Sequence, residues 1–145
     1  MTRVECQHRF AVPVETGFAF ITDVKNWPRY WPGFLRMQPN SRWSAPGDQA
    51  CIAVRLLGRE FELRMALRRF EKNRLITYTS VQEGAPDAHH ERHFVPVDGG
   101  FIYRLVVEYE PRTGLPGLYD RVLLRWGIGR ALRETITNLD ATLSK

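Results

Sequence analysis

The chain has 145 residues, the length of one ordinary domain, and its 43% hydrophobic and 26% charged residues exclude a disordered or low-complexity segment. Its 21 Lys and Arg residues against 16 Asp and Glu residues give a net charge of +5, which permits an anionic partner but is far from that of a dedicated nucleic-acid binder. No segment approaches the roughly 18 apolar residues of a membrane span. We therefore expect a single cytoplasmic domain over residues 1–145, with no cofactor and no specific nucleic-acid partner.

The N-terminal segment alternates between apolar and polar side chains, and this period of two predicts a half-buried strand over residues 3–12. Pro13 then favours the start of a short helix, because the first turn of a helix does not use the N–H group that proline lacks. The inward face of the strand carries Val4, Cys6, His8, Phe10 and Val12.

An aromatic and proline-rich segment, DVKNWPRYWPGF, follows at residues 23–34. Its prolines interrupt any long helix, so the segment predicts a helical turn and then a bend. Its aromatic side chains are candidates for a mobile lid at a cavity mouth, for a contact with a membrane interface, or for a hydrophobic cap on the domain. They are Trp27, Tyr30, Trp31 and Phe34.

The middle of the chain predicts a meander of antiparallel strands with turns at residues 58–59, 72–73 and 98–99. Each turn fixes a register and therefore the side chains that share a face. The predicted pairs are Leu56–Phe61, Val54–Leu63 and Ile52–Met65 in the first hairpin, Arg69–Ile76, Leu67–Tyr78 and Met65–Ser80 in the second, and Phe94–Tyr103 and Arg92–Leu105 in the third.

A long helix is predicted from Pro116 to about Leu143, long enough to cross a domain at about 1.5 Å per residue. Gly127 and Gly129 lie within it, and each costs about 1 kcal/mol relative to Ala, which indicates close packing, a bend or space left for another group. The apolar stripe of the helix is predicted to be Leu118, Val122, Trp126, Leu132, Ile136, Leu139 and Leu143.

This order of elements resembles the helix-grip fold of the START-like (SRPBCC) superfamily, in its polyketide-cyclase and dehydrase-like branch. The resemblance covers essentially the whole chain, and its most specific part is VPVETGFAFITDVKNWPRYWPGF, in which Asp23 precedes the aromatic and proline-rich run. The same segment is similar to bacterial coenzyme Q-binding relatives. The resemblance implies an α+β fold in which a curved antiparallel sheet wraps around a long C-terminal helix. It also implies two short helices after the first strand and an apolar cavity between sheet and helix.

Polar groups among the inward-facing apolar side chains are typical of a small-molecule site. We expect the cavity to bind a lipid, an isoprenoid or quinone, or a polyketide-like polycyclic compound. Candidate residues that would orient the ligand are Arg69, Tyr78, His90, Arg92 and Tyr103. The candidate apolar walls are Ile52, Val54, Leu56, Phe61, Leu63, Met65, Leu105, Trp126 and Leu132.

Two other functions stay open at this point. An aromatase/cyclase-type enzyme would use His90 or a tyrosine for proton transfer and an arginine to stabilise an enolate. Arg69 is the nearest match to the pocket arginine of such superfamily members. A partner-binding protein, similar to ribosome- or toxin-associated relatives, would use the arginines of the last helix, which also permit peripheral contact with an anionic membrane.

The histidine-rich segment HHERH at residues 89–93 does not predict a metal site. A zincin motif needs a second His where Phe94 stands. On a strand, His89 and His93 share a face but lie about 13 Å apart, too far to bind one ion. The segment is expected to be a partly solvated strand with His90 facing inward.

Overall fold

One antiparallel sheet of seven strands dominates the structure, a computed structural model that describes residues 1–143. The strands are β1 (Thr2–Phe10), β2 (Phe34–Met37), β3 (Gln49–Leu56), β4 (Arg59–Glu71), β5 (Leu75–Val81), β6 (Ala88–Val97) and β7 (Gly100–Tyr109). The helices are α1 (Val14–Thr22), a 3-10 turn (Val24–Asn26), α2 (Trp27–Tyr30), α3 (Leu115–Tyr119), a π-helical segment (Asp120–Leu124) and α4 (Arg125–Leu143).

The predicted helix-grip fold is confirmed. The strand order is β1-β7-β6-β5-β4-β3-β2, and α4 contacts both β1 and β3. Since those two strands are separated by four others in the sheet, one helix reaches both only because the sheet curves around it. Two short helices, α1 and α2, follow the first strand as expected. Within residues 1–143, no helix is long and apolar enough to cross a membrane.

The turn between β3 and β4 lies one residue earlier than predicted. Leu57 and Gly58 have φ angles of 55° and 73°, as in a type I′ turn, so Phe61 pairs with Val54 and not with Leu56. The predicted pairs of this hairpin are therefore wrong. Each partner is displaced by two residues, which leaves every side chain on its predicted face.

The strand β4 contains an irregularity between Leu67 and Arg69 that the sequence pattern did not indicate. Beyond it, Arg69 pairs with Thr77 and not with Ile76, which puts Arg69 on the face of the sheet opposite Tyr78. The other predicted pairs of these hairpins are confirmed, namely Leu67–Tyr78, Met65–Ser80, Phe94–Tyr103 and Arg92–Leu105.

The C-terminal helix changes phase at its π-helical segment. The second half of the predicted stripe is buried, but the first half is wrong, because Leu118, Val122 and Trp126 are exposed. A π-helical turn takes more residues than an α-helical turn, so the residues after it are rotated relative to a regular helix. The inward position passes to Leu124. The residues of the second half that are buried as predicted are Leu132, Ile136, Leu139 and Leu143.

The π-helical segment begins at Asp120, whose side chain is fully buried. Arg112 donates to this carboxylate from Nε at 3.0 Å, from Nη2 at 2.9 Å and from its backbone N–H at 2.8 Å. Burial opposes ionisation, but the hydrogen bonds from Arg112 outweigh it and hold the pKa of Asp120 below its usual value. Tyr109 Oη also donates to the Asp120 carbonyl, so the start of the helix is bound to the end of β7.

Gly127 lies where the C-terminal helix crosses the β3–β4 turn. A Cβ atom at this position would lie 2.8 Å from Cγ of Leu57, which is too close for a real contact. At Gly129 a Cβ atom would meet Nη1 of Arg133 at 3.3 Å and a methyl group of Val4 at 3.7 Å. Close packing is therefore the reason for glycine at position 127, whereas position 129 has room for a methyl group once Arg133 shifts.

We expect Gly129→Ala to raise the free energy of unfolding by up to about 1 kcal/mol, because Ala favours the helical conformation. Gly127→Ala should instead lower the free energy of unfolding, because the new methyl group displaces Leu57 from its turn and this cost exceeds the helical preference of Ala. Denaturant unfolding measures the free energy of unfolding of both variants and of the parent protein. Equal stabilisation by both substitutions would contradict a tight contact at Gly127.

Candidate functional site

A cavity of about 150 Å³ lies between the concave face of the sheet and the C-terminal helix. A volume of this size holds a benzene-sized group. The helix side of the cavity is formed by Leu124, Ile128, Ala131, Leu132 and Thr135. Most of the sheet side is formed by Val54, Leu56, Phe61, Leu63, Tyr78, Ser80, Gln82, Ala88, His90, Arg92, Tyr103, Val107 and Tyr109.

Most of the residues that the sequence predicts at the site lie in this lining. Met65 lines a smaller cavity of about 30 Å³ on the other side of a partition that includes Tyr30 and Arg92. The predicted residues in the lining of the main cavity are Tyr78, His90, Arg92, Tyr103, Val54, Leu56, Phe61, Leu63 and Leu132.

Four of the predicted residues line neither cavity. Arg69 is exposed and paired with Glu71, because the irregularity in β4 turns it to the other face of the sheet. Trp126 is exposed on the outer side of the helix, because the π-helical segment rotates it away. Leu105 and Ile52 are buried in the core and do not line the cavity.

The aromatic candidates for a lid differ in how they are held. Trp27 and Tyr30 are buried, and both donate to the Ile21 carbonyl, from Nε1 at 3.2 Å and from Oη at 2.6 Å. Trp31 lines the cavity, and Phe34 packs beside it with 6.4 Å between ring centroids. These contacts favour a fixed cap at Trp27 and Tyr30 and leave Trp31 as the lid candidate at the cavity.

The guanidinium of Arg92 is a charged group without a carboxylate partner. Nη2 donates to Tyr78 Oη at 2.8 Å, whereas Nη1 is buried and has no hydrogen-bond partner within residues 1–143. Its carbon lies 5.5 Å from the centroid of the Tyr78 ring. No acidic side chain of the described residues forms an ion pair with it or lines the cavity. A buried cation that has lost water without gaining an anion is costly, so Arg92 offers an unused donor and an unbalanced charge.

His90 lies next to this arginine. Its ring stacks on Tyr78 at a centroid distance of 4.3 Å, and its Nε2 lies 2.9 Å from Ser80 Oγ. Its Nδ1 is buried and lacks a partner in the described part of the chain. Burial, and then the positive charge of Arg92, lowers the pKa of His90 well below its usual value. The imidazole is therefore neutral near pH 7, and its unprotonated ring nitrogen can accept a hydrogen bond.

Three tyrosines complete the polar part of the cavity. Burial raises the pKa of Tyr30, Tyr78 and Tyr103, although the charge of Arg92 opposes this rise. Their phenol groups stay protonated at physiological pH. The site therefore combines hydroxyl groups, a neutral imidazole and one guanidinium inside an apolar wall, a set that suits a ligand with a polar, electron-rich oxygen.

Sequence reasoning missed the helical wall at Leu124 and Ile128, because it assumed a regular helix through Val122 and Trp126. A second apolar series was present in the sequence, since Leu124, Ile128 and Leu132 are four residues apart. Choosing this series over the first required the π-helical segment, which no sequence pattern indicated.

The outer face of β6 carries two further histidines. His89 and His93 flank Glu91, with Nε2–Oε distances of 3.3 and 2.7 Å. Among residues 1–143, no group of three or more potential ligands is arranged to hold a metal ion. These side chains form a polar cluster on the face of the sheet away from the cavity.

Several solved structures share this fold. A protein of Thermus thermophilus is 12% identical with a TM-score of 0.82, covering 98% of this chain and 97% of that one. The Zhui aromatase/cyclase of a Streptomyces species is 12% identical with a TM-score of 0.80, covering 99% and 93%. A START superfamily protein of Mycobacterium smegmatis is 16% identical with a TM-score of 0.75, covering 98% and 97%. At these identities the likeness concerns the fold alone.

The sequence itself carries a more specific relationship. No curated protein matches the chain. Residues 1–144, however, match the family described as "Polyketide cyclase / dehydrase and lipid transport". This match covers nearly the whole chain and agrees with the helix-grip fold and with the resemblance of the opening segment. The chain therefore belongs to the polyketide cyclase/dehydrase and lipid transport family.

Proposed function

We propose that the protein binds a hydrophobic small molecule whose polar end carries an electron-rich oxygen, such as a carboxylate, a phenolate or a quinone carbonyl. The observation that carries this proposal is the buried Nη1 of Arg92, which has no partner within residues 1–143. A site built only for stability would pair this charge or replace it, because an unpaired buried guanidinium weakens the fold. A ligand oxygen supplies the missing partner.

The size and lining of the cavity support a ligand with at least one ring or a branched apolar end. The volume of about 150 Å³ takes a group of benzene size, and a longer molecule would extend along Trp31 and Pro32. Apolar contact with Leu56, Phe61 and Leu63 would supply most of the affinity, at about 25 cal/mol per Å² buried. Lipids, isoprenoids, quinones and polyketides all have this combination of an apolar body and an oxygen-bearing end.

A second candidate function is an aromatase/cyclase-type reaction on a polyketide-like substrate. The specific observation in its favour is the neutral His90, held by Ser80 within the same wall as Arg92. A neutral imidazole would remove a proton next to a substrate carbonyl, and the guanidinium would stabilise the enolate oxygen that results. The family description and the fold of the Streptomyces aromatase/cyclase support this candidate.

Arg92→Met tests the first proposal with two probes that differ only at the polar end, naphthoic acid and naphthylmethanol. We expect the affinity for naphthoic acid to fall about tenfold to a hundredfold, because a hydrogen bond to a charged group is lost. Binding of naphthylmethanol should change much less. Titration calorimetry measures both affinities.

Arg69→Met is the matched control, since it removes an exposed arginine on the other face of the sheet. Its affinities should equal those of the parent protein. The melting temperature of Arg92→Met should not fall, because the loss of the bond to Tyr78 is offset by removal of an unpaired buried charge. An unchanged affinity of Arg92→Met for naphthoic acid would refute the role of Arg92. Native mass spectrometry of the protein from its own host, followed by organic extraction, identifies the natural ligand class.

The neutral state of His90, on which the second candidate rests, predicts a pH dependence of stability. As the pH falls below 6.5, the unfolded chain binds a proton at His90 but the folded protein does not. The free energy of unfolding should therefore decrease with falling pH, by up to about 1.4 kcal/mol per pH unit from this group. His90→Gln, which keeps an amide near Ser80, should remove this part of the loss.

Denaturant unfolding as a function of pH measures the effect, with His93→Gln on the opposite face of β6 as the control. The same pH dependence in His90→Gln as in the parent protein would rule out a neutral His90 and with it this general base. Turnover of a polyketide-like substrate that His90→Gln abolishes without weakening binding would establish the enzymatic candidate.

A further inference from the structure

The outer side of the C-terminal helix carries a row of exposed apolar side chains that has no role in the cavity. We define the apolar ridge as Leu115, Leu118, Val122, Leu123 and Trp126, which are 84, 60, 57, 52 and 53% exposed. Four of these residues are spaced three, four and four positions apart and lie along one side of the helix, namely Leu115, Leu118, Val122 and Trp126. Large apolar side chains scattered over a surface are ordinary, but a continuous row on one element marks an interaction surface.

Positive charge surrounds the apolar ridge. Arg121 and Arg125 are exposed between its members. The guanidinium of Arg130 lies beside them, 5.5 Å from the centroid of the Trp126 ring, but its charge is paired with Glu134, whose Oε1 lies 3.0 Å from Arg130 Nε. Over residues 115–133 the sequence contains one carboxylate, Asp120, and it is buried and bound by Arg112. The ridge is therefore an apolar row with cationic neighbours. Within residues 115–133 no acidic side chain is exposed.

We propose that the apolar ridge docks the protein on a membrane surface that contains anionic lipids. Leucine and valine side chains enter the boundary of the acyl chains, tryptophan is favoured at the interface, and arginines bind lipid phosphates from the same helix. The net charge of +5 adds a long-range attraction to such a surface. The interface between water and lipid is the environment that satisfies both kinds of side chain at once.

Charge argues against the other occupants of this surface. Two copies that met through their ridges would bring Arg121 and Arg125 of both chains together, with no exposed carboxylate in the ridge to offset the repulsion. A nucleic acid would match the arginines but would leave the apolar side chains in water. A bilayer with anionic headgroups complements the charge and covers the apolar area.

Docking through the apolar ridge would also orient the cavity. Leu124 and Ile128, on the inner side of the same helical region, line the cavity wall. A protein docked in this way holds the cavity one helix thickness from the lipid. This proposal goes beyond ligand binding and does not depend on it, because the ridge docks whether the cavity is empty or filled.

Co-sedimentation with vesicles tests the apolar part of the surface. The vesicles are phosphatidylcholine alone and phosphatidylcholine mixed with phosphatidylglycerol. We expect the full chain to bind the mixed vesicles, and the double variant Leu118→Asn with Val122→Asn to bind them at least about tenfold more weakly. The matched control replaces two exposed valines elsewhere on the sheet, Val81→Asn with Val95→Asn, and should bind like the parent.

The same measurement tests the charged part. Arg121→Gln with Arg125→Gln should weaken binding by about thirtyfold, because each arginine near an anionic surface contributes about one factor of five. Arg64→Gln with Arg68→Gln removes the same charge from the exposed face of β4 and should have a smaller effect. Raising the salt concentration should weaken binding of the parent protein.

The alternatives give different results. No binding to the mixed vesicles, or equal binding by the parent and both ridge variants, would overturn the proposal. A dimer in solution that Leu118→Asn dissociates, with no vesicle binding, would assign the ridge to a second copy and also overturn it. These experiments need no cavity ligand. A negative result here is therefore distinguishable from an unchanged affinity of Arg92→Met for naphthoic acid, which would refute the proposed ligand site.

Discussion

The arrangement of the C-terminal helix depends on the buried carboxylate of Asp120. Three hydrogen bonds from Arg112 hold it against the chain that leaves β7, and the π-helical segment begins at this residue. The extra residue in each π turn then sets the rotation of the helix that follows. Leu124 and Ile128 face the cavity as a result, and Val122 and Trp126 face outward. The ion pair of Arg112 with the buried Asp120 therefore anchors the helix at the point where its two surfaces are set.

The cavity shows a different compromise between stability and binding. Its wall is mostly apolar, yet it contains Arg92 without an anionic partner and His90 with an unpartnered ring nitrogen. Each unpaired group costs free energy in the folded state, and a well-packed apolar substitute would avoid that cost. Groups of this kind are characteristic of sites that await a ligand, because the ligand supplies the partner that the protein lacks.

The two proposals concern opposite sides of one helix. The inner side lines a cavity suited to a hydrophobic molecule, and the outer side carries an apolar and cationic row suited to a lipid surface. A hydrophobic molecule has low solubility in water, so a protein that holds such a molecule benefits from contact with the membrane where the molecule concentrates. The curvature of the sheet makes this possible, because it covers the inner side of the helix and leaves the outer side free.

The sequence by itself determined the strands other than β2, the aromatic segment, the long helix and the inward position of Tyr78, His90, Arg92 and Tyr103. The inward positions follow from the strand period of two. A register error of two residues, as in the first hairpin, leaves each side chain on the same face. Only the tertiary structure decided the places of Arg69 and Trp126, because a strand irregularity and a π-helical segment change the phase of everything after them. Only the tertiary structure could show that Arg92 lacks a partner, since the absence of an anion is a property of every element packed around it.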